Sequence, residues 1–453
     1  MDVTTYKKIL SYLADVIAGT EWAGRVYAVG GCCRDSVMGH EIKDIDLAVE
    51  VPDGGTKFSE WLVEQNLTTG NTRFYPMFST AMLHLAKFPE HEIEVVQTRS
   101  GKYTEENFDY PERAFGDIVQ DCMLRDLTIN SLCYNVSTGE VLDLTGKGLE
   151  DIEAQRLRTP VDPNITYSDD PLRILRAIRF SLKLGWELSP EMIAAFSRYS
   201  ANLHIISPRR LGAEVIKILT APNPSRGLEL MAKTGALKKV LGELTPIMRI
   251  EWATGNDLTV WNHTLRVIDA VGPDMVLRLA ALFHEAGKPK VRSITRRGEV
   301  VYNGHEGASA RMAHRWMRFH HLDHEPTEAV KYIIRNYHKM CNLQKVDEKR
   351  LVEIASEAGS RRNLDLLVQF AKAVNTVNGN EEQNELIDSR IAELLENDKV
   401  KLIEKPRPTE QKRQRRPRGE RHGHHERRKR KPSADSNESK SKPRPRRRRR
   451  GKK

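Results

Sequence analysis

The stretch Gly30-Gly31-Cys32-Cys33-Arg34-Asp35, followed closely by Asp44-Ile45-Asp46, decides the fold. A Gly-Gly turn predicts the opening of a short helix. Asp44 and Asp46 then stand one residue apart at the start of an apolar run, Ile45, Leu47, Val49 and Val51. On a strand, residues at i and i+2 project to one face. The two carboxylates can therefore hold the same pair of divalent cations, and two-metal sites stabilise both the attacking and the leaving oxygen of a phosphoryl displacement. The glycines let backbone N–H groups approach an anion, and the helix N-terminus adds partial positive charge. The strand–turn–helix–strand pattern predicts an α/β domain that holds a nucleoside triphosphate and transfers its nucleotide.

The chain has 453 residues, room for roughly two to four compact domains. Its apolar runs fall well short of the about 20 residues of a membrane span, so no membrane partner is expected. The N-terminal MDVTTYKKILSYLADVI is interrupted by Lys7, Lys8 and Asp15 and reads as an amphipathic helix rather than a signal peptide. The five cysteines, Cys32, Cys33, Cys122, Cys133 and Cys341, form no C-x-x-C. That argues against a disulfide framework or a cysteine zinc site and fits a reducing cytoplasm. The net charge of +11 hides an asymmetry. Lys405 to Lys453 carries 23 Lys/Arg against 5 Asp/Glu, a net +18, which leaves −7 on the rest.

Strands are expected at Arg25–Val29, Asp44–Val51, Thr80–Leu85, Glu92–Thr98 and Glu140–Asp143. The stretch from Arg99 to Asp121 lacks periodicity and reads as a mobile loop over the site. From Asp169 onward the pattern turns helical. In PLRILRAIRFSLKLG, Leu172, Leu175, Ile178 and Leu182 recur at helical spacing with Arg173, Arg176 and Arg179 elsewhere, and Gly185 closes the helix. Further helices are expected at Pro190–Tyr199, Arg209–Leu219 and Ser225–Thr234, then a His-rich helical block over about 255 to 375. Order is expected to end near residue 395. Nothing in the sequence signals an oligomeric state.

In this order, GG, RD and DxD resemble the class II tRNA nucleotidyltransferase/poly(A) polymerase family, whose first motif reads GGxxRD…DxD. The resemblance implies an α/β N-terminal nucleotidyltransferase domain, a small mixed sheet with helices, followed by all-α domains and a disordered basic tail. The boundaries expected are 1–150 for the head, 151–250 for a helical neck that templates the nucleotide and binds RNA, 251–375 for an HD-type helical domain, and 395–453 for the tail. It implies two Mg²⁺ ions on Asp44 and Asp46, with Gly30, Gly31, Arg34 and Asp35 around the nucleotide. Glu94, in EIEVVQTR, lies out of parity with Ile93 and Val95. The family's similar E-V-x-T-x-R segment makes it a third carboxylate facing the metals, with Arg99 toward the triphosphate or the loop.

LRDLTINSL resembles the second motif, commonly RRDxTINA, and contributes Arg125, Asp126 and Asn130; Leu124 replaces its first Arg. Arginine suits a triphosphate as a planar multi-donor partner. VLDLTGKGLEDI resembles the third motif, with Asp143 and Gly146 as positioning residues. Asp169-Asp170-Pro171-Leu172-Arg173 resembles the fourth, EDxxR, with Asp169 for Glu. Asp170 and Arg173 are spaced i, i+3 and share a helix face. A carboxylate beside a guanidinium complements the exocyclic amino group and ring nitrogen of cytosine and adenine. Uracil and guanine present the reverse pattern, and unpaired buried polar groups make such rejection large. Arg176 and Arg179 extend the row toward the triphosphate or the RNA end.

The third block carries His263, His284-Glu285, His305 and His338 and looks like an HD-type phosphohydrolase domain, with Glu285 for the usual Asp. His263, His284, Glu285 and His305 are its candidate ligands for a further divalent metal. The tail has almost no apolar residue to offset the cost of ordering, and it suits salt-dependent RNA phosphate binding. The expected activity is template-independent addition from CTP and ATP to RNA 3′ ends, most simply tRNA CCA addition. Poly(A) addition, or a non-polymerising RNA-binding HD hydrolase, are the alternatives.

Overall fold

A computed structural model describes residues 1–100, 114–252, 259–396, 400 and 402. Helix α1 (Val3–Ile17) starts at Asp2, whose carboxylate accepts from the Thr5 amide at 2.7 Å. It buries Tyr6, Ile9, Leu10, Leu13 and Ile17, one stripe at 3.6-residue spacing. The sheet strands are β1 (Val26–Val29), β2 (Ile45–Val49), β3 (Arg73–Tyr75), β4 (Thr80–Leu85), β5 (Phe88–Gln97), β6 (Cys133–Asn135) and β7 (Val141–Leu142). They form a mixed seven-stranded sheet in the order β3-β4-β5-β2-β1-β6-β7. Only β2 and β5 pair in parallel within it, and they set Asp46 beside Glu94.

Strand parity explains what the sheet exposes. Ile45, Leu47, Val49, Ile93 and Val95 share a core with α1 and with Phe58 and Leu62 of α3 (Gly54–Glu64). The other face carries Asp46, Ala48, Glu94 and Val96. Ala48 is covered there by Ile118 and Cys122 of α4 (Ile118–Met123), while Asp46 and Glu94 line a cavity. Helix α2 (Gly31–Val37) follows the Gly pair.

Thr80–Leu85 is present as expected, Glu92–Thr98 belongs to the longer β5, and the other expected strands are trimmed. Asp44 stands just outside β2, and Glu140–Asp143 shrinks to β7. Two strands of this sheet went unread, because β3 and β6 are three residues each, too short for alternation to show. The expected loop from Arg99 to Asp121 falls partly on 101–113, outside the described residues. Its ends are structured: Arg99 bridges to Phe115, and α4 begins with a capping box in which Asp117 and Gln120 satisfy each other's amides.

Two short helices follow the sheet, α5 (Gly148–Glu153) and α6 (Pro163–Asp169), and then α7 (Leu172–Leu184), which stops at Gly185 with φ 72°. Four more are α8 (Pro190–Tyr199), α9 (Pro208–Leu219), α10 (Pro224–Lys233) and α11 (Ala236–Val240). The His-rich block is α12 (Val260–Ala270), α13 (Met275–Phe283), α14 (Lys288–Val291), α15 (His305–Phe319), α16 (His324–Cys341), α17 (Glu348–Glu357), α18 (Arg361–Asn378) and α19 (Glu382–Glu396). One continuous apolar core runs through these helices. Among the described residues no helix is long and apolar enough to cross a membrane. All five cysteines are buried free thiols.

Candidate active site

Gly30 is the hinge of the site. Its φ of 76° lies in the left-handed region, and a Cβ there would come within 2.9 Å of Arg125 Nη1 and 3.9 Å of Asp46 Oδ2. Gly31 has no such constraint. Asp46 is pushed up to about 6, first by burial, then by Glu94 and Asp44, with Arg125 pulling the other way. Asp44 is exposed at the rim. Asp46, Glu94, Arg99, Arg125 and Asp121 line one cavity of about 250 Å³. Asp121 accepts from Arg125 Nε and Nη2 at 3.1 and 2.7 Å and pairs with Arg99 at 3.4 Å. Burial opposes the Arg125 charge, but Asp121 holds its pKa above the usual arginine value.

A larger cleft, about 570 Å³, continues from there. Gly30, Gly31, Arg34, Arg125, Asp126, Asn130, Asp170, Arg173, Arg176 and Arg179 all line it. A relay of side chains crosses its floor. Arg34 donates through Nε to Asp35 Oδ1 (2.8 Å) and through Nη1 to Asn130 Oδ1 (2.6 Å). Asn130 donates to Asp126 Oδ1 (2.9 Å), and Arg176 donates to Asp126 Oδ2 (2.7 Å). Burial would raise the Asp126 pKa, yet Arg176, Asn130 and Arg173 bring it down to about 2. Asp35 supports Arg34 from behind the cleft wall. Asp143 and Gly146 shape the turn into α5, where Asp143 accepts from the Leu149 amide at 3.0 Å, and neither lines the cleft.

Asp170 and Arg173 are both buried at the cleft wall. Asp170 Oδ1 accepts from the Leu172 amide at 3.0 Å, starting α7, and Oδ2 pairs with Arg210 of α9 at 3.2 Å. Arg173 donates to the carbonyls of Leu124 (2.6 Å) and Thr166 (3.3 Å). Leu124 thus contributes its backbone carbonyl to the cleft that it also lines. Arg179 pairs at 2.8 Å with buried Glu214, which also pairs with Lys217 at 3.0 Å.

Sequence reasoning missed Asp121, Phe180, Lys183, Arg210, Glu214 and Lys217, all at one or both cavities. Arg210, Glu214 and Lys217 fall at i, i+4 and i+7, a polar stripe on α9 that was legible as periodicity but carried no motif.

In the helical block, ligand atoms of His263, His284 and Glu285 lie within 4.8 Å of one another, close enough for a divalent cation to bridge. His305 is not in that group. Its Nε2 lies 3.1 Å from Tyr337 Oη and 3.4 Å from Glu285 Oε2. Lys288 Nζ is 2.9 Å from Glu285 Oε2, and Tyr337 donates to Oε1 at 2.9 Å. Burial would raise the Glu285 pKa, but His284, Lys288 and His305 lower it to about 2. Burial also drops His263 to about 3 and His284 to about 4, so both imidazoles are neutral at pH 7. Trp252 stacks on His263 at 3.5 Å.

Three family models match the chain in order. The poly A polymerase head domain covers residues 26–158, the probable RNA- and SrmB-binding site of polymerase A covers 185–248, and the HD domain covers 258–375. The chain belongs to the class II CCA-adding enzyme/poly(A) polymerase family. Family members from both branches align with it. The mitochondrial CCA tRNA nucleotidyltransferase of Saccharomyces cerevisiae is 35% identical over 218 residues, 45% of this chain and 40% of the yeast protein. Poly(A) polymerase I of Salmonella typhi is 34% identical over 202 residues, 44% of this chain and 42% of the relative. These alignments span less than half the length of either relative. A tRNA nucleotidyltransferase solved with a primer tRNA and an incoming ATP analogue superposes with a TM-score of 0.58 at 20% identity, covering 86% of this chain and 99% of that one. At that identity the likeness is one of fold.

Proposed function

We propose that this chain adds nucleotides from CTP and ATP to the 3′ ends of RNA, with CCA addition to tRNA as the favoured reaction. The observation that carries the reading is the pairing of Asp46 with Glu94 beside Gly30, in a cavity that opens into the cleft holding Asp170 and Arg173. The carboxylate cluster suits Mg²⁺. It offers hard oxygen donors, and the Asp46 carboxyl is pushed up first by burial and then by Glu94 and Asp44, so its ionised form would gain from a bound cation. Asp44, Asp46 and Glu94 would hold the ions, whose contribution is charge stabilisation at the α-phosphate during displacement.

The rest of the work falls to the chain's own groups. Gly30 keeps the wall free of a side chain where the phosphates approach. Arg34, Arg125, Arg176 and Arg179 offer guanidinium N–H groups whose other edges are already fixed, so little rotamer freedom is lost on binding. Asp170 retains lone pairs for an exocyclic amino group, and Arg173 presents N–H groups to the adjacent ring nitrogen. The RNA 3′-hydroxyl attacks the α-phosphorus and pyrophosphate leaves. We assign domain boundaries near residues 150 and 250, with residues 395–453, most of which lie outside the described residues, as an RNA-binding tail. In the HD-type block we propose that Lys288 supplies the countercharge of Glu285, leaving His263 and His284 as a neutral, buried pair rather than a hydrolytic centre.

Poly(A) addition is the second reading, favoured by the relatives from that branch and by the basic tail. The two separate on a tRNA ending at its discriminator base, supplied with each single NTP and then with CTP plus ATP. Two C additions followed by one A support CCA addition. A long A tract from ATP alone supports poly(A) addition. No incorporation from any NTP removes both.

A further inference from the structure

Phe180 is out of place on α7. The apolar stripe of that helix runs through Leu172, Leu175, Ile178 and Leu182, whereas Phe180 lies seven residues from Arg173 and four from Arg176, on the cationic face. An aromatic ring among arginines at the mouth of a polar cleft would be expected to be wet. Instead it is only 6% exposed: it joins the apolar core, and guanidiniums stand over the ring. Arg179 Cζ stands 4.5 Å from the ring centroid, Arg34 Cζ 5.2 Å and Arg176 Cζ 6.0 Å. Two of these come from α7 and one from α2, within the Gly-Gly signature.

The edges of all three cations are already held: Arg34 by Asp35 and Asn130, Arg176 by Asp126, Arg179 by Glu214. Those carboxylates offset the repulsion of three guanidiniums crowded on one side chain. What the edges do not fix is the tilt of each plane, and the electron-rich face of the ring attracts the flat, weakly hydrated guanidinium. We propose that Phe180 is a positioning residue of the nucleotide site, a π platform that gathers Arg34, Arg176 and Arg179 so that they bind the triphosphate together. The inference rests on the reading of this cleft as the nucleotide site.

Leucine keeps most of the apolar volume and removes the π face; tyrosine keeps the face. Phe180→Leu should raise the KM for NTP about fivefold, the effect of weakening partly desolvated cation–π contacts, while kcat and the KM for RNA stay near wild type. Phe180→Tyr should restore the NTP KM. Direct binding of a non-hydrolysable ATP analogue and the thermal midpoint are measured on the same preparations. A Phe180→Leu protein with wild-type analogue affinity would overturn the proposal. So would one whose KM values for NTP and RNA rise together with a fallen midpoint, since that pattern marks a packing role. Absence of nucleotide incorporation and analogue binding in the wild-type chain would instead overturn the nucleotidyltransferase reading itself.

Discussion

At the head sheet, Asp46 and Glu94 sit side by side on parallel strands with Asp44 at the rim, and Arg125, shared with Asp121, is set against them. In the HD-type block, Glu285 is met by Lys288, His305 and Tyr337, and the neighbouring imidazoles are neutral. Both clusters join carboxylates to basic partners in enclosed surroundings. In the first, burial and then the neighbouring carboxylates Glu94 and Asp44 hold the Asp46 pKa up, with Arg125 opposing them. The second is balanced, which the lowered Glu285 pKa records. A cluster that works by recruiting cations must be left unbalanced by its own protein. In the second, Lys288 stands 2.9 Å from Glu285 as its proposed countercharge.

The largest effect that would sharpen this contrast is on catalysis. Asp46→Ala should cut nucleotide incorporation about a thousandfold or more, the scale of several kcal/mol of transition-state charge stabilisation. RNA affinity by gel shift should stay near wild type, because no phosphate-binding cation is removed. Near-normal turnover would break the contrast at once.

Lys288→Met leaves Glu285 buried without its ammonium partner. Breaking such a pair costs about 3 kcal/mol, so chemical denaturation should show a clear loss of stability while incorporation by the folded protein persists. An unchanged denaturation midpoint would mean that Lys288 does not balance Glu285.

Base choice comes next. Asp170→Ala and Arg173→Ala should each lose roughly one to two orders of magnitude in preference for CTP and ATP over UTP and GTP, the worth of about 1–3 kcal/mol for a good bidentate contact. The readout is kcat/KM for all four NTPs. An even fall across the four would make the pair structural, a role its contacts with the Leu172 amide and the Leu124 carbonyl already show it can fill.

The smallest effect is on pH dependence, and the two clusters should respond with opposite sign. Asp46 has a folded pKa near 6 against an unfolded value of 3.8, so between these the folded state holds more protons. Its contribution to stability is present at low pH and is lost as pH rises through 6. His263 and His284 sit near 3 and 4 against 6.5. Their contribution is present above pH 6.5 and is lost as pH falls toward 4. Hydrogen exchange of β2 and β5 amides reports the first, and Trp252 fluorescence, quenched when the stacked His263 is protonated, reports the second. Slopes of the same sign in both regions would contradict the charge assignment.

Much of the head was legible because its chemistry is local. Gly30 to Asp46 lie within one strand–turn–helix–strand, and parity together with the family's E-V-x-T-x-R segment pointed Glu94 to the carboxylate face. The helix at Leu172–Leu184 was legible from its stripe and its terminal Gly185. What was not legible is what arrives from far along the chain. Arg210 reaches Asp170 from 40 residues away, and Glu214 reaches Arg179 from 35. Neither pairing leaves a spacing signal, since each depends on how α7 and α9 pack. His305 meets the same carboxylate, its Nε2 3.4 Å from Glu285 Oε2, through a contact that only tertiary packing sets.

The most direct test of the contrast is a titration with Mn²⁺, followed by electron paramagnetic resonance in the presence of a non-hydrolysable NTP analogue. It should be made on wild type, Asp46→Ala, and His263→Gln combined with His284→Gln. Bound Mn²⁺ should be lost in Asp46→Ala and retained in the histidine variant, since the unbalanced cluster is the one that recruits cations. Bound Mn²⁺ that survives Asp46→Ala and disappears with the two histidines would contradict the account.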